Sequence, residues 1–229
     1  MNNKKKIMPI IPIIISVVCM VVLVVLDQAS KFLMVSIFDM GEYIGKVGFE
    51  ELEPIVEALK SIPIIPKVLH LTFVLNDGAA FGSLDNARWI FMILSTVAIV
   101  AILVFLFWKK PSNPLLLVSL TLITGGGIGN MIDRVWLGYV IDFIDFRALP
   151  GIWMWVFNVA DSCVTVGAGL LAVWMIIDFV KDVKAKKAVE AGVETVTEAE
   201  EAIKTESKPE DEKIRIRNQS GEQNDGSEE

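Results

Sequence analysis

Four long apolar stretches constrain this chain more than any other feature of its sequence. They lie at about residues 7–26, 89–108, 114–132 and 156–177, close to the roughly 20 residues that a helix needs to cross a bilayer. Because a membrane offers no water to the backbone, each stretch must form its hydrogen bonds internally, as a helix does. The pattern therefore predicts an all-α membrane protein, a four-helix transmembrane bundle.

The segments between the predicted spans indicate how the rest of the chain is organised. Residues 27–88 and 133–155 are two outer segments, periplasmic or extracellular. Residues 70–75 predict a strand that leads into a turn signal beginning at Asn76. The bundle is thus expected to carry a small β-containing outer segment. Residues 38–69 mix glycine, glutamate, proline and isoleucine, and their pattern assigns them to no element.

The end of the chain differs in composition from the rest. Residues 190–229 contain 13 acidic and 5 basic residues, whereas the whole chain has a net charge of −7, so the remainder is close to neutral. Segments that are acidic, poor in aromatic residues and rich in Glu, Lys and Ser are typical of disorder. We therefore expect a membrane domain over residues 1–183 and an acidic, largely disordered cytoplasmic tail over residues 184–229.

Lysines near the ends of the spans predict the orientation. Lys4, Lys5 and Lys6 precede the first span, Lys109 and Lys110 separate the second from the third, and four more lysines follow the last. With four spans these groups fall on one side, and positive charge favours the cytoplasmic side. Both termini are then cytoplasmic in a multi-pass protein of the cytoplasmic membrane, and the two connecting segments face outward.

Polar residues gather where the predicted spans meet the outer side. Ionisable groups at membrane depth are costly, so those that are retained are functional hypotheses. The set comprises Asp27, Lys31, Asn130, Asp133, Arg134, Asp142, Asp145, Asn158 and Asp161. A structural role fits some of them: Asp27 and Lys31 have the i,i+4 spacing of a helix-end ion pair, and Asn158 is a favoured N-cap residue. It fits Asp161 poorly, because this residue lies in an apolar helix without a basic neighbour in sequence.

The glycines, cysteines and single histidine indicate helix packing and argue against a phosphate-binding loop and a metal site. The glycines at 125, 126, 127 and 129 permit close helix approach within the third span, for packing or for function, and they lack the Lys-Ser/Thr ending of a phosphate loop. Cys19 and Cys163 are read as small buried hydrophobic residues, and His70 has no Cys or His cluster around it. We expect no metal site and no cofactor.

These polar positions occur in an ordered series of motifs. The stretches are Asp27-Gln-Ala-Ser-Lys31, Asn76-Asp-Gly-Ala-Ala-Phe-Gly82, Gly125-Gly-Gly-Ile-Gly-Asn130-Met-Ile-Asp133-Arg134, Gly138-Tyr-Val-Ile-Asp142-Phe and Phe157-Asn158-Val-Ala160-Asp161-Ser. In this order, on four spans, they resemble lipoprotein signal peptidase, also called signal peptidase II. The chain departs from that family at Gly127, where alanine is common, in the longer region 38–69, and in the acidic tail.

The resemblance implies an aspartic endopeptidase of the bacterial cytoplasmic membrane. Such an enzyme removes the signal peptide from a prolipoprotein by cutting before a cysteine that carries a diacylglyceryl group. By the family's pattern the catalytic residues are Asp142 and Asp161. The positions implied to bind substrate or support the site are Asp27, Lys31, Asn76, Gly78, Gly126, Asn130, Arg134, Asn158 and Ala160. Prolipoproteins, membrane lipid and globomycin-type inhibitors are the implied partners, and no basic patch suggests nucleic acid.

The chemistry of two carboxylates agrees with this implied activity. Like charge and partial desolvation keep one carboxyl group protonated while its neighbour is ionised, so the pair can activate water and polarise a carbonyl group. The alternatives are a proton-coupled carrier that uses the same carboxylates and a non-catalytic scaffold. Carriers usually hold their site near the midplane between internal repeats, neither of which is visible here.

Overall fold

The computed structural model describes residues 10–78, 87–149, 151–152 and 155–189. Nothing is described for the side chains of Ala87, Arg88 and Phe91. The lysines at positions 4–6 and the predicted tail from residue 190 onward lie outside the described residues, as does the motif segment after Gly78. Two compact units are present, Met1–Trp174 and Met175–Glu229, and in the second the described part is helical through Val189.

The described elements confirm the predicted fold class, four apolar helices with a small antiparallel sheet. In chain order they are α1 (Ile10–Ile37), α2 (Phe49–Glu57), β1 (Ile62–Ile65), β2 (Leu69–Asn76), α3 (Ala87–Lys109), α4 (Pro114–Trp136), β3 (Val140–Phe146), β4 (Val156–Phe157) and α5 (Val159–Val189). Helices α1, α4 and α5, and residues Met92–Lys109 of α3, are long and apolar enough to cross a membrane.

Helix boundaries differ from the expected ones at several helix ends. Helix α1 runs to Ile37 rather than ending near residue 26, so Asp27 and Lys31 lie within it and not at its end. Both side chains are buried and paired with each other, which removes the reason for the helix to stop there. Helix α4 continues to Trp136. Helix α5 begins at Val159, after strand β4 and the capping residue Asn158, and runs to Val189 rather than ending near residue 177.

Helix α4 is packed against both α1 and α3. Asn113 caps its first turn by accepting a hydrogen bond from the backbone N–H of Leu116 at 3.2 Å, and Pro114 occupies the first helical position, where its missing N–H costs nothing. Leu116, Leu117 and Leu120 bury one face against Met20 of α1. A helix enclosed in this way is well placed to carry polar residues between its neighbours.

The sheet has the strand order β1-β2-β3-β4, and all its pairs are antiparallel. Strand β2 confirms the strand expected at residues 70–75. Within its pairing with β3, Val74 is opposite Asp142. Strand β3 begins four residues after α4 ends, and β4 ends two residues before α5 begins. The sheet is therefore tied directly to the ends of two spanning helices.

A second apolar core joins the sheet to the end of α1 through the region that the sequence left unassigned. Helix α2 buries Leu52 and Val56, which its i,i+4 spacing puts on one face. They pack with Phe73 of β2 and Phe143 of β3, and with Met34 of α1. This core fixes the sheet against α1, and with it the position of β3.

Candidate active site

The start of α5 is organised by a reciprocal cap. Asn158 precedes the helix, and its Oδ1 accepts a hydrogen bond from the backbone N–H of Asp161 at 2.8 Å. The carboxylate of Asp161 accepts in return from the backbone N–H of Asn158 at 3.2 Å. This arrangement satisfies two helix N-terminal donors and orients both side chains, as a capping box does. Asp161 is half-buried, whereas Asn158 is fully buried.

Asp142 lies on β3 and is almost fully buried, at 1% exposure. Two amides hold its carboxylate: the Nδ2 of Asn158 donates to Oδ1 at 2.7 Å, and the Nδ2 of Asn76 donates to Oδ2 at 2.9 Å. Burial, followed by the negative charge of Asp161, raises the pKa of Asp142 from 3.8 to about 7, against the lowering effect of these hydrogen bonds and of Lys31. A carboxyl group of this kind exchanges its proton near neutral pH.

An asparagine pair connects the two acids. The Nδ2 of Asn130, on α4, donates to Asp161 at 2.7 Å. Its Oδ1 accepts from the Nδ2 of Asn158 at 3.0 Å, the same amide nitrogen that donates to Asp142. Asp142 and Asp161, which come from different elements, are thus held to one Asn130–Asn158 unit.

Behind this unit lies a buried charged group on α1 and α4. The Nζ of Lys31 contacts Asp27 at 2.8 Å and Asp133 at 2.9 Å, and it donates to the Oδ1 of Asn130 at 3.0 Å. The side chains of Lys31, Asp27 and Asp133 are each 1–3% exposed. Charges buried at this depth are tolerated when they are paired and hydrogen-bonded, as these are.

Close helix packing brings α5 to the same place. The backbone N–H of Ala160 donates to the Oδ1 of Asp27 at 2.9 Å. A Cβ added at Gly129 would lie 2.6 Å from the Oδ2 of Asp27, and one added at Gly126 would lie 2.4 Å from the backbone oxygen of Ala160. The glycines therefore serve both the packing and the site, two roles that the sequence left open.

Two further residues of the predicted set lie at the edge of the site. Gly78 has a φ of +91°, a conformation that favours glycine, and its N–H donates to the Oδ1 of Asn76 at 2.9 Å. This turn orients the amide that binds Asp142. Arg134 is half-buried at the end of α4, and among the described residues its Nε has no hydrogen-bond partner.

Asp145, the nearest rival of Asp142 in sequence, is engaged elsewhere. Its Oδ2 accepts from Thr72 at 2.6 Å and from the Nε of Arg147 at 2.7 Å. Burial opposes the effect, yet these hydrogen bonds and the charge of Arg147 hold the pKa of Asp145 below its usual value. Asp145 is therefore held ionised by partners that do not belong to the Asn130–Asn158 unit.

Two residues of the network, Asp133 and Gln28, were absent from the site positions that the resemblance implied, although Asp133 belongs to the polar set picked out from the sequence. Asp133 accepts from Lys31, from Gln28 and from the backbone N–H of Ile141, the last at 3.2 Å. Gln28 donates to Asp27, Asp133 and the backbone oxygen of Gly129, at 3.2, 2.9 and 3.1 Å. Both residues are polar and lie beside buried charged residues, which was the signal available in the sequence. That signal is weak for Gln28, because burying a neutral amide costs less free energy than burying a charge. In the described part of the chain, no three His, Cys, Asp or Glu side chains form a group suited to a metal ion.

Comparison with known proteins agrees with the fold and the motifs. Residues 19–177 match the family model described as "Signal peptidase (SPase) II". A lipoprotein signal peptidase of Caldanaerobacter subterraneus subsp. tengcongensis is 43% identical over 151 residues, which cover 66% of this chain and 88% of the relative. One from Halothermothrix orenii is 45% identical over 116 residues, 51% of this chain and 76% of the relative.

A solved structure described as "Bacterial membrane enzyme structure by the in meso method at 2.3 A resolution" is also similar. It has a TM-score of 0.57 and 30% sequence identity, and the match covers 72% of this chain and 88% of that one. The fold, the four candidate spans and these relatives define a multi-pass bacterial membrane protease. The chain belongs to the signal peptidase II family and cleaves signal peptides from prolipoproteins.

Proposed function

We propose that this protease is an aspartic endopeptidase in which Asp142 and Asp161 activate water to cut the prolipoprotein immediately before its lipid-modified cysteine. The observation that carries the proposal is the attachment of both acids to the Asn130–Asn158 unit. The Nδ2 of Asn130 lies 2.7 Å from the carboxylate of Asp161, and the Nδ2 of Asn158 lies 2.7 Å from that of Asp142. Burying two acids at one place costs free energy, so acids retained in this arrangement are candidates for a functional role.

The protonation behaviour of Asp142 supports the same mechanism. With a pKa raised to about 7 by burial and by the charge of Asp161, Asp142 can keep a proton near neutral pH, as a two-carboxylate mechanism requires of one of its acids. The ionised acid takes a proton from water, and the protonated one hydrogen-bonds the scissile carbonyl and later supports protonation of the leaving amine. Because the two acids titrate as a pair, neither is assigned permanently as acid or base.

The remaining residues of the site divide into holding and contacting groups. Asn76, Asn130 and Asn158 hold the carboxylates, and Asp27 and Lys31 fix the helices that carry them. The Nε of Arg134 has no hydrogen-bond partner in the described part of the chain, and Arg134 is the residue proposed to contact the substrate backbone. The substrate is a prolipoprotein with a diacylglyceryl-cysteine, and globomycin-type inhibitors occupy the same place.

The site is proposed to lie at the outer face of the membrane. The acids are at the α4 end that leads into the sheet, whereas Lys109 and Lys110 lie at the opposite end, before α4 begins. Positive charge favours the cytoplasmic side, so both termini are cytoplasmic. Labelling an exposed Glu42→Cys variant in intact cells with an impermeant maleimide tests this orientation. We expect the maleimide to modify this cysteine. A cysteine that the reagent cannot reach from outside the cell would indicate the opposite orientation.

Purified protein and two synthetic peptides test the substrate assignment. The peptides share one signal sequence, and only one carries a diacylglyceryl group on its cysteine. Mass spectrometry is expected to find a single cut before the modified cysteine, unaffected by EDTA, with the unmodified peptide cut at least about 100-fold more slowly, as expected when remote binding energy is lost. Equal cleavage of both peptides, or a cut at another bond, would contradict the proposed specificity.

A further inference from the structure

Asp133 is a buried acid that the two-carboxylate mechanism leaves without a role. It lies in the last turn of α4, three residues from Asn130, and its side chain is 3% exposed. Its Oδ2 contacts the Nζ of Lys31 at 2.9 Å, and its Oδ1 accepts from the Nε2 of Gln28 at 2.9 Å. Such an acid in a spanning helix requires an explanation beyond solubility.

The third contact of Asp133 leads directly to Asp142. Its Oδ2 accepts a hydrogen bond from the backbone N–H of Ile141, the residue before Asp142, at 3.2 Å. The Nδ2 of Asn158 lies 3.4 Å from the backbone oxygen of the same Ile141. The peptide groups on both sides of Ile141 are therefore held by side chains of α4 and of the α5 cap. This restrains the position from which the Asp142 side chain extends.

We propose that Asp133, oriented by Gln28, is a positioning residue that sets the place and the charge environment of Asp142. The inference rests on the proposed function, since it takes Asp142 as one of the two catalytic acids. Asp133 itself touches neither substrate nor the reacting atoms. It acts through the Ile141 backbone, which it restrains, and through Lys31, whose positive charge it shares with Asp27.

The charged and titratable groups around the two acids decide the direction of the electrostatic effect. Lys31 and Asp27 face Asp133 from α1, Tyr139 does so from the turn before β3, and Asp161 faces Asp142 from α5. Lys31 lowers the pKa of Asp142. Removing the negative charge of Asp133 leaves Lys31 less compensated, so the pKa of Asp142 falls.

The variant Asp133→Asn tests both parts of this role. It removes one charge and cannot accept the three side-chain hydrogen bonds together, while the backbone oxygen of residue 133 still accepts from Leu137 and Gly138. We expect kcat to fall about 10–100-fold, as for an acid displaced by a fraction of an ångström, with KM changed less than about threefold. Because the shared proton leaves the pair more easily, the alkaline limb of the pH–rate profile moves about 0.5–1 unit lower.

The variant Gln28→Met separates position from charge. It removes the three hydrogen bonds donated by Gln28 but leaves every charge in place. We expect kcat to fall about 3–10-fold with no movement of the alkaline limb. Asp145→Asn is the matched control, since Asp145 lies on the same strand but binds Thr72 and Arg147, and it should change neither quantity.

The outcomes distinguish this inference from the proposed function. A purely structural role for Asp133 would lower activity equally at all pH values, and that result, or wild-type behaviour, overturns the inference. If Asp133→Asn does not accumulate in membranes, wild-type kcat in Gln28→Met overturns it instead. Activity retained by Asp142→Asn would overturn the two-acid mechanism itself. If Asp142→Asn is inactive and the pH–rate profile of Asp133→Asn is not shifted, only the proposed role of Asp133 is rejected.

Discussion

At the scale of single residues, the site is a set of amides placed between acids. Asn130 and Asn158 contact Asp161 and Asp142, and a neutral amide can donate to a carboxylate whether or not its neighbour is ionised. A lysine in their place would hold both acids ionised and remove the proton that the mechanism uses. Lys31 is instead paired with Asp27 and Asp133, and it contacts the amide unit by donating to the Oδ1 of Asn130.

The raised pKa of Asp142 predicts a cost in stability. Its pKa of about 7 in the folded protein exceeds the ordinary 3.8, so ionising it opposes folding, fully above pH 7 and progressively less as the pH falls toward 4. We expect Asp142→Asn to raise the melting temperature in detergent by at least about 3 °C at pH 8, an increase that shrinks by pH 5. A variant no more stable than wild type at pH 8 would contradict this assignment.

Asp145→Asn provides the opposite sign on the same strand. The folded pKa of Asp145 lies below its ordinary value, so its ionised form stabilises the protein at all pH values above the ordinary one. The Asn variant is therefore expected to melt lower than wild type at both pH 8 and pH 5.

At the scale of elements, the close contact of α4 with α5 brings Asn130 to Asp161. This contact depends on Gly126, because a Cβ there would approach the Ala160 backbone oxygen to 2.4 Å, and a backbone atom cannot turn aside as a side chain does. The next residue, Gly127, faces α3 instead, where an added Cβ would meet the Ile99 side chain at 3.3 Å.

These neighbouring glycines give a matched pair of variants. Gly126→Ala is expected to separate α4 from α5, to lower the free energy of unfolding by about 1–3 kcal/mol and to reduce cleavage at least about 10-fold. Gly127→Ala should change stability by less than about 0.5 kcal/mol and leave activity intact. Thermal melting and peptide cleavage measure both effects. Equal behaviour of the two variants would mean that the close α4–α5 approach does not matter to the site.

Element boundaries also show where reasoning from sequence stops. Span length and apolar composition predicted four helices, and the depth of the acids predicted which residues to examine. The extension of α1 to Ile37 was missed because Asp27 and Lys31 end a span on hydropathy, although burial beside Asp133 makes them helix-interior residues. Helix α2 was missed because only Leu52 and Val56 mark its buried face, in a segment interrupted by Pro54.

At the scale of the whole molecule, the meeting of the acids depends on long-range pairing. Asp142 and Asp161 can approach only if the segment after β3 folds back, and it does so by pairing Ile144 with Phe157 of β4. Strand β4 has two residues, too few to give a sequence pattern of its own. The Asn76 contact likewise requires the β2–β3 pairing across 66 residues of chain. Motifs identified the residues, but only the assembled sheet supplies their geometry.

In this assembly the sheet is attached to the spanning helices and does not form a separate domain. Strand β3 follows α4, β4 precedes α5, and the end of α1 packs into the core beneath the sheet. Motion of the sheet relative to the bundle would therefore move Asp142 relative to Asp161. The structure accordingly couples the outer segment to the site through covalent connections and a shared apolar core.

The most direct test of the central claim is single-turnover cleavage of the diacylglyceryl peptide by Asp142→Asn, Asp161→Asn and Asp145→Asn, each shown to be inserted and folded. Losing either member of a two-acid site removes both water activation and carbonyl polarisation, so the first two variants should each lose at least about 10³-fold in rate. Asp145→Asn should cleave within about threefold of wild type, since its carboxylate is bound to Thr72 and Arg147. Normal processing by either of the first two variants, or an inactive Asp145→Asn beside an active Asp142→Asn, would contradict the account.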